Sequence, residues 1–130
     1  MKALRRNTLL CFAFAVIGCQ QQPAAPKAEA AVNHVVLCWL KEPGNVAQRA
    51  LIIEVSKKFR KIPGVIDVRV GESIPSDRDI VDDSFDVGIC LTYASVEDMN
   101  AYLEHPDHVK AAKEVLGPIA KKIVVYDFGG

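Results

Sequence analysis

The residues of this chain that are best suited to chemistry lie between positions 102 and 108. Two of its three histidines, His105 and His108, stand three residues apart, and Tyr102 lies three residues before the first of them. Histidine changes its charge near neutral pH and tyrosine has a hydroxyl proton to donate, so these types suit acid–base chemistry. A simpler interpretation stays open, in which a helix ends here and the histidines are half-exposed without a chemical role.

Pro106 stands between the two histidines. Proline has no amide proton and its ring clashes with the preceding turn, so a helix that arrives through Tyr102 should break or kink here. We expect a second helical segment to begin at Asp107, because an acidic residue suits a helix N-terminus. Along one unbroken helix Tyr102 and His108 would lie on different faces, whereas the break allows both to face one pocket.

The first 18 residues resemble a bacterial lipoprotein signal peptide. A basic start precedes an apolar run over 9–17 that is too short to span a membrane, and Gly18 and Cys19 follow it. We expect cleavage before Cys19, whose attached lipid would anchor the chain to the cell envelope. Gln20 stands where Asp would retain such a protein in the inner membrane, which favours the outer membrane, facing the periplasm, in a Gram-negative host. A plain secretory signal and an uncleaved anchor are the alternatives.

Loss of residues 1–18 changes the charge balance. It removes Lys2, Arg5 and Arg6, so 13 of the 16 basic residues remain against 16 acidic ones, a net charge of −3. No basic stripe remains, and we therefore expect no nucleic-acid partner. Residues 19–31 are polar and rich in proline and alanine, which is typical of a flexible tether, and a single domain is expected over 32–128.

Hydrophobic periodicity predicts four strands and two helical regions in this domain. The strands are expected over 32–40, 66–71, 85–93 and 123–128, and the helical regions over 46–62, capped by Asn45, and over 95–116, capped by Ser95 and broken at Pro106. The order strand, helix, strand, strand, helix, strand predicts an α+β, ferredoxin-like fold, with an antiparallel four-stranded sheet and helices on one face.

The other face of that sheet should also be apolar. It would carry either some of Val35, Leu37 and Trp39 or the alternate side chains of the same strand. A chain of this length has no second layer to cover it, so we expect a symmetric homodimer in which a partner's sheet does so.

With these elements in place, the chain resembles the stress-responsive A/B barrel (Dabb) family of dimeric α+β barrels. The matching pieces, in family order and spacing, are VNHVVL at 32–37, IPGV at 62–65, TYAS at 92–95, YLEHPDH at 102–108 and VYDF at 125–128. The resemblance implies the fold and the homodimer. It implies little about activity, because unrelated functions share one fold.

A plant polyketide cyclase of this family, which makes olivetolic acid, is similar at Tyr102 and His108. In the cyclase these places hold the acid–base pair of an aldol cyclisation, which needs a base near neutral pKa and a proton donor for the enolate. We expect Asp127, on the last strand, to orient His108. A further cavity histidine of the cyclase corresponds to Val87 here, and this difference weighs against cyclase activity.

We therefore expect the domain to bind a small apolar molecule in a cavity rather than to act as an enzyme. The expected ligand-binding residues are His34, Val87, Tyr102, His105, His108 and Asp127. An acid–base enzyme that uses Tyr102 and His108 as catalytic residues is one alternative, and a structural envelope protein with a closed, dry barrel is another.

No cofactor and no metal is expected. The two histidines of the HPDH segment are three residues apart across a proline, unlike the paired histidines of a zinc-protease helix. Histidine-bound haem, known in other dimeric α+β barrels, is a less favoured alternative. Cys38 and Cys90 are expected to be free, buried thiols, because the correspondence of His34 and Val87 with cavity positions puts the two cysteines on opposite faces of the sheet.

Overall fold

The computed structural model describes residues 31–130, and the predicted signal peptide, Cys19 and nearly all of the predicted tether lie outside this range. The strands are β1 (Val32–Leu40), β2 (Val65–Glu72), β3 (Val87–Tyr93) and β4 (Ala120–Gly129). The helices are α1 (Val46–Lys57), α2 (Val96–Glu104), α3 (Pro106–Ala111) and the short α4 (Gly117–Ile119). A 3₁₀ turn (Lys58–Lys61) follows α1, and a π-helical turn (Ala112–Leu116) follows α3.

The four strands form one antiparallel sheet in the order β2-β3-β1-β4. β1 is central, and its neighbours β3 and β4 pair with it along most of its length. The element order is the predicted one, with the helices packed on one face of the sheet. Within residues 31–130, no helix has both the length and the apolar character that crossing a bilayer requires.

Alternation along β1 decides which side chains meet the helices. Val36, Cys38 and Leu40 are buried in the core together with Ile52 of α1 and with Phe59. The alternate residues are only half-buried and lie on the face without helices; they are Val35, Leu37 and Trp39. That face also carries Tyr126 and Phe128 of β4, each 57% exposed. The first of the two predicted alternatives for the open face is therefore the observed one.

Helix starts agree with the sequence pattern. The Asn45 side chain accepts a hydrogen bond from the backbone N–H of Gln48 at 3.0 Å, and the Ser95 hydroxyl accepts one from that of Asp98 at 3.1 Å. After Pro106 the cap differs from the prediction. The new helix begins at Pro106 itself, and His105 caps it by accepting from the Asp107 N–H at 3.2 Å.

Three element boundaries and one strand register differ from the predictions. α1 ends at Lys57 and tightens into the 3₁₀ turn before Pro63. The register of β2 shifts between Val65 and Asp67, so Ile66 bulges out and is 57% exposed instead of sharing the buried face with Val68. The third strand begins two residues late, at Val87. The fourth begins three residues early, at Ala120.

The two cysteines of the domain are free thiols, as predicted. Cys38 pairs with Val87 and Cys90 with Val35, so their side chains point to opposite faces of the sheet. Cys38 is fully buried, and burial raises the pKa of its thiol to about 11, which keeps it protonated and unreactive. Cys90 is half-exposed, in contrast to the predicted burial.

Candidate functional site

A partly open cavity of about 200 Å³ lies between the helices and the sheet. Three polar side chains reach it, those of His34 on β1, Tyr102 on α2 and His108 on α3. The rest of its lining is apolar and comes from β1, β3, β4 and the helical layer: Val36, Phe59, Ile89, Leu91, Leu103, Ala112, Leu116, Ile123 and Val125. The three polar residues that the sequence singles out thus meet in one apolar cavity, which is typical of a small-molecule site.

His34 is held by a carboxylate of the neighbouring strand. The two residues are paired directly in the register of β1 with β4, and Nδ1 of His34 lies 2.6 Å from Oδ1 of Asp127. A carboxylate oxygen accepts hydrogen bonds, so Nδ1 carries the proton and donates it. The prediction that Asp127 orients His108 is therefore wrong, since the strand register brings it to His34 instead.

The break at Pro106 positions Tyr102 and His108, as the sequence predicts. In a continuous helix the N–H of Asp107 would donate to the carbonyl of Leu103, but here it donates to the side chain of His105. The Leu103 carbonyl is left free and accepts a hydrogen bond from Nδ1 of His108 at 2.9 Å. The rings of Tyr102 and His108 then lie 4.5 Å apart, centroid to centroid.

The protonation states of His108 and Tyr102 suit a base and a proton donor, respectively. Burial lowers the pKa of His108 below its ordinary 6.5 and outweighs the opposite effect of the hydrogen bond to Leu103, so the ring is neutral at neutral pH. Because Nδ1 carries the proton, Nε2 has a free lone pair. Burial raises the pKa of Tyr102, whose hydroxyl therefore stays protonated as a hydrogen-bond donor.

A second tyrosine stands beside Tyr102 with no polar partner. Tyr93 is fully buried, its ring lies 5.4 Å from that of Tyr102, and its hydroxyl makes no hydrogen bond within residues 31–130. Burial raises the pKa of Tyr93, and the nearby Tyr102 and Asp127 raise it further. Buried hydroxyls without a partner are rare, so Tyr93 places an unusual unsatisfied polar group beside the site.

Three predicted ligand-binding residues do not line the cavity: His105, Val87 and Asp127. His105 is used as the cap of α3. Val87 is fully buried and points to the same face of β3 as Ile89 and Leu91, but it lies opposite Cys38 at the far end of the strand pair. Asp127 is connected to the cavity only through its hydrogen bond to His34.

Phe59 is the residue of the site that the sequence pattern does not reveal. In the α1 periodicity it has the spacing of an ordinary core residue, yet it contacts the cavity and meets two of its polar residues edge-on. Its ring centroid lies 5.7 Å from that of Tyr102 and 6.0 Å from that of His108. Only the packing of the 3₁₀ turn against α2 and α3 could identify it.

The donor set of the site is that of a proton-transfer or hydrogen-bonding pocket. Among residues 31–130, no three histidine, cysteine, aspartate or glutamate side chains come together in a way that could hold a metal ion. His34 and His108 each use Nδ1 within the protein, which leaves one Nε2 atom of each ring for a ligand.

Nearly all of the described part of the chain matches a known protein family. Residues 32–129 match the model of the family described as the stress responsive A/B barrel domain. The chain belongs to this family, Dabb. Among curated proteins, none matches the sequence significantly.

Solved structures of Dabb-like proteins share the fold. A Dabb family protein with a ferredoxin-like fold from Mesorhizobium loti is 22% identical with a TM-score of 0.63, over 76% of this chain and 95% of the other. A hydroxynitrile lyase from Passiflora edulis is 24% identical with a TM-score of 0.68, over 78% of this chain and 94% of the other. A dimeric ferredoxin-like protein of unknown function from Thermobifida fusca is 19% identical with a TM-score of 0.63, over 79% and 93%. The predicted ferredoxin-like α+β fold is confirmed.

Proposed function

We propose that this Dabb domain binds a small, mostly apolar molecule that carries one carbonyl or hydroxyl group. The observation that carries the proposal is the convergence of His34, Tyr102 and His108 in a cavity that is otherwise lined by apolar side chains. Apolar walls supply affinity, and a few fixed polar groups set the orientation of the ligand.

The polar groups offer a complementary set of contacts. Tyr102 keeps a hydroxyl proton to donate, and the Nε2 atoms of His34 and His108 can accept when the rings are neutral. A ligand carbonyl would accept from Tyr102, and a ligand hydroxyl would donate to one of the histidines. The rings of His34 and His108 are each held by a hydrogen bond from Nδ1. Binding of a ligand therefore costs little additional side-chain entropy at these two residues.

Binding of methyl hexyl ketone to the purified full-length protein tests the proposal. Titration calorimetry should give saturable binding that weakens in Tyr102→Phe, which removes only the hydroxyl, and in His108→Asn, which keeps a side-chain N–H for Leu103 but removes Nε2. Asp77→Asn, on the exposed loop, is the control and should bind like the wild type. Absence of saturable binding would support instead a structural protein with a dry core.

Acid–base catalysis is a second candidate function, favoured by one specific arrangement. A neutral His108 with a free Nε2 lies beside a protonated Tyr102, which is the base and donor pair that proton removal next to a carbonyl requires. The similar fold of the Passiflora edulis hydroxynitrile lyase supports testing this activity.

Deuterium exchange separates catalysis from binding. In heavy water at saturating methyl hexyl ketone, an active His108 would take a proton from the carbon beside the carbonyl and return a deuteron. NMR would show faster loss of those proton signals than in buffer, and His108→Asn would abolish the acceleration. Cleavage of mandelonitrile would be measured alongside. No acceleration in either assay would leave binding as the function.

We also propose that the open face of the sheet forms a homodimer. Val35, Leu37, Tyr126 and Phe128 present apolar surface there, and dimeric relatives of the same fold are known from Thermobifida fusca and Bacteroides fragilis. Light scattering of the wild type should give the mass of a dimer. Leu37→Asp should give a folded monomer, whereas a wild-type monomer would refute the dimer.

For the N-terminal part we propose export and lipid attachment at Cys19, on the basis of the signal-like sequence before it. Cells grown with an alkyne-tagged fatty acid should incorporate the tag into the wild type and into Cys90→Ser, but not into Cys19→Ser. Fractionation of the same cells then reports which membrane holds the protein. Equal labelling of Cys19→Ser would exclude this anchor.

A further inference from the structure

A second cavity, a groove of about 400 Å³, lies on the outer side of the helical layer. One wall comes from α1 and the 3₁₀ turn, and the other from α3 and the π-helical turn. Its apolar floor is formed by Val55, Phe59, Ala111 and Val115. It is distinct from the inner cavity, whose helical lining comes from α2, α3, the π-helical turn and Phe59.

The two cavities share a thin wall. Along the segment from Pro106 to Leu116, Lys110, Ala111 and Glu114 line the groove, whereas His108, Ala112 and Leu116 line the inner cavity. This segment includes the π-helical turn, a feature that is frequent at functional sites because it alters which side chains share a face.

Phe59 is the one residue that lines both cavities in the described part of the chain. It is 6% exposed, and its ring touches the inner site edge-on through Tyr102 and His108. Its side chain therefore stands between the groove and the inner cavity.

The rim of the groove carries more positive than negative charge. Lys58, Lys61 and Lys110 line it against Asp107 and Glu114, and within residues 31–130 none of these five side chains forms an ion pair. Lys58 and Lys61 are three residues apart in a 3₁₀ turn, where side chains at that spacing eclipse each other. Their ammonium groups are thus on the same side and free for an external anion.

We infer that the groove is the entrance to the inner cavity and that the ligand is an amphipathic acid. Its carboxylate would stay at Lys58, Lys61 and Lys110, while its apolar chain passes Phe59 and brings a carbonyl or hydroxyl to Tyr102 and His108. The inference rests on the proposed binding function and narrows its ligand to oxo- or hydroxy-acids with a medium-length chain.

Two probes that differ in one group test whether a carboxylate on the ligand strengthens binding. Methyl hexyl ketone and 7-oxooctanoate have the same ketone and the same chain length, but the second has a carboxylate in place of the terminal methyl group. We expect the full-length protein to bind 7-oxooctanoate roughly fivefold more tightly at low salt, and this advantage to disappear in high salt, because exposed charges are screened. Equal or weaker binding of the acid would overturn the inference.

Matched lysine variants test whether the tighter binding of the acid depends on the lysines of the groove. The triple variant Lys58→Gln, Lys61→Gln, Lys110→Gln should lose the advantage of the acid while it binds the ketone like the wild type. Lys113→Gln, in the same helical segment but outside the groove, should keep it. Loss of the advantage in Lys113→Gln as well would indicate a general charge effect and refute the site.

The role of Phe59 is tested by the association rates of the two probes. Phe59→Leu keeps an apolar core residue but removes part of the barrier, so both probes should associate several-fold faster, as measured by NMR line shapes. Unchanged association rates would refute the entrance. If neither probe binds the wild type, the proposed binding function itself fails, whereas binding of the ketone without preference for the acid leaves that function intact and rejects only this inference.

Discussion

His34 and Asp127 are joined by a 2.6 Å hydrogen bond across the pair formed by the first and last strands of the sheet. His34 is buried, whereas the side chain of Asp127 is 44% exposed. The carboxylate therefore acts from the solvent side to fix which ring nitrogen of a buried histidine carries the proton. The other nitrogen, Nε2, is then the one available to the cavity.

Removal of this carboxylate should free the ring of His34. In Asp127→Ala we expect nitrogen NMR to show a mixture of the two neutral tautomers, where the wild type has the proton on Nδ1. Asp127→Asn keeps an oxygen acceptor and should retain the wild-type tautomer in part. Because Asp127 is nearly half exposed, the loss of stability should be about 1 kcal/mol or less. An unchanged tautomer in Asp127→Ala would contradict the assignment, and Asp77→Ala is the control.

His108 should make the stability of the domain depend on pH. Burial lowers the pKa of His108 in the folded state below the 6.5 of an unfolded chain. As the pH falls below about 6.5, the unfolded state takes up a proton that the folded state does not, so the free energy of unfolding decreases until the pH has passed the folded-state pKa. His108→Asn should remove this part of the decrease, measured by urea unfolding at a series of pH values. The same slope in the variant would rule out His108 as its source.

Local sterics explain why half of the site is predictable from the sequence. The break at Pro106 depends only on the missing amide proton and the bulk of the ring, and it alone brings Tyr102 and His108 together. The pairing of His34 with Asp127 depends on the register between strands that are far apart in the chain, and periodicity does not define it. His105 was misassigned for a related reason, because a free N–H at a helix start competes for its side chain.

The alternation of buried and exposed side chains was predictable along β1 and β3, but the position of each residue relative to the cavity was not. Val87 lies on the buried face of β3 with Ile89 and Leu91, the face that its correspondence with a cavity position predicts. Which part of that face borders the cavity is decided by where the helices cross the sheet, and nothing in the strand sequence records this. The sequence does not reveal the role of Phe59 for the same reason, since its spacing only continues the apolar periodicity of α1.

The turn before β2 requires a glycine. Gly64 has φ +85°, and a Cβ atom there would lie 3.2 Å from Cβ of Asp98 at the start of α2. We expect Gly64→Ala to destabilise the domain by about 1–2 kcal/mol in urea unfolding, because both the backbone conformation and the contact are unfavourable for alanine. Gly71→Ala in β2 is the matched control, since a Cβ there meets nothing within 4 Å. Equal stability of the two variants would contradict this explanation.

Asp86 fixes the loop between β1 and α1 from the start of β3. Its Oδ2 accepts from the N–H of Leu40 at 2.9 Å, and its Oδ1 accepts from the N–H of Gly44 at 2.7 Å and from the guanidinium of Arg49. Burial alone would raise the pKa of Asp86, but these hydrogen bonds and the charge of Arg49 outweigh it and lower the pKa. Both oxygens thus face donors only.

Asp86→Asn should be strongly destabilising, although it preserves the shape of the side chain. In either orientation of the asparagine amide, its NH₂ group would face an N–H donor, so a buried donor is left without an acceptor. Arg49 also loses its charged partner. We expect the free energy of unfolding, measured in urea, to fall by about 3 kcal/mol. Because the folded-state pKa is depressed, this stabilisation is complete above the unfolded value of 3.8 and is lost as the pH falls through the folded pKa. The difference between wild type and variant should therefore shrink in acid. Asp82→Asn, which affects only hydrogen bonds to Ser84 in the exposed loop, should change stability little, and a comparable loss there would show that the effect is not specific to Asp86.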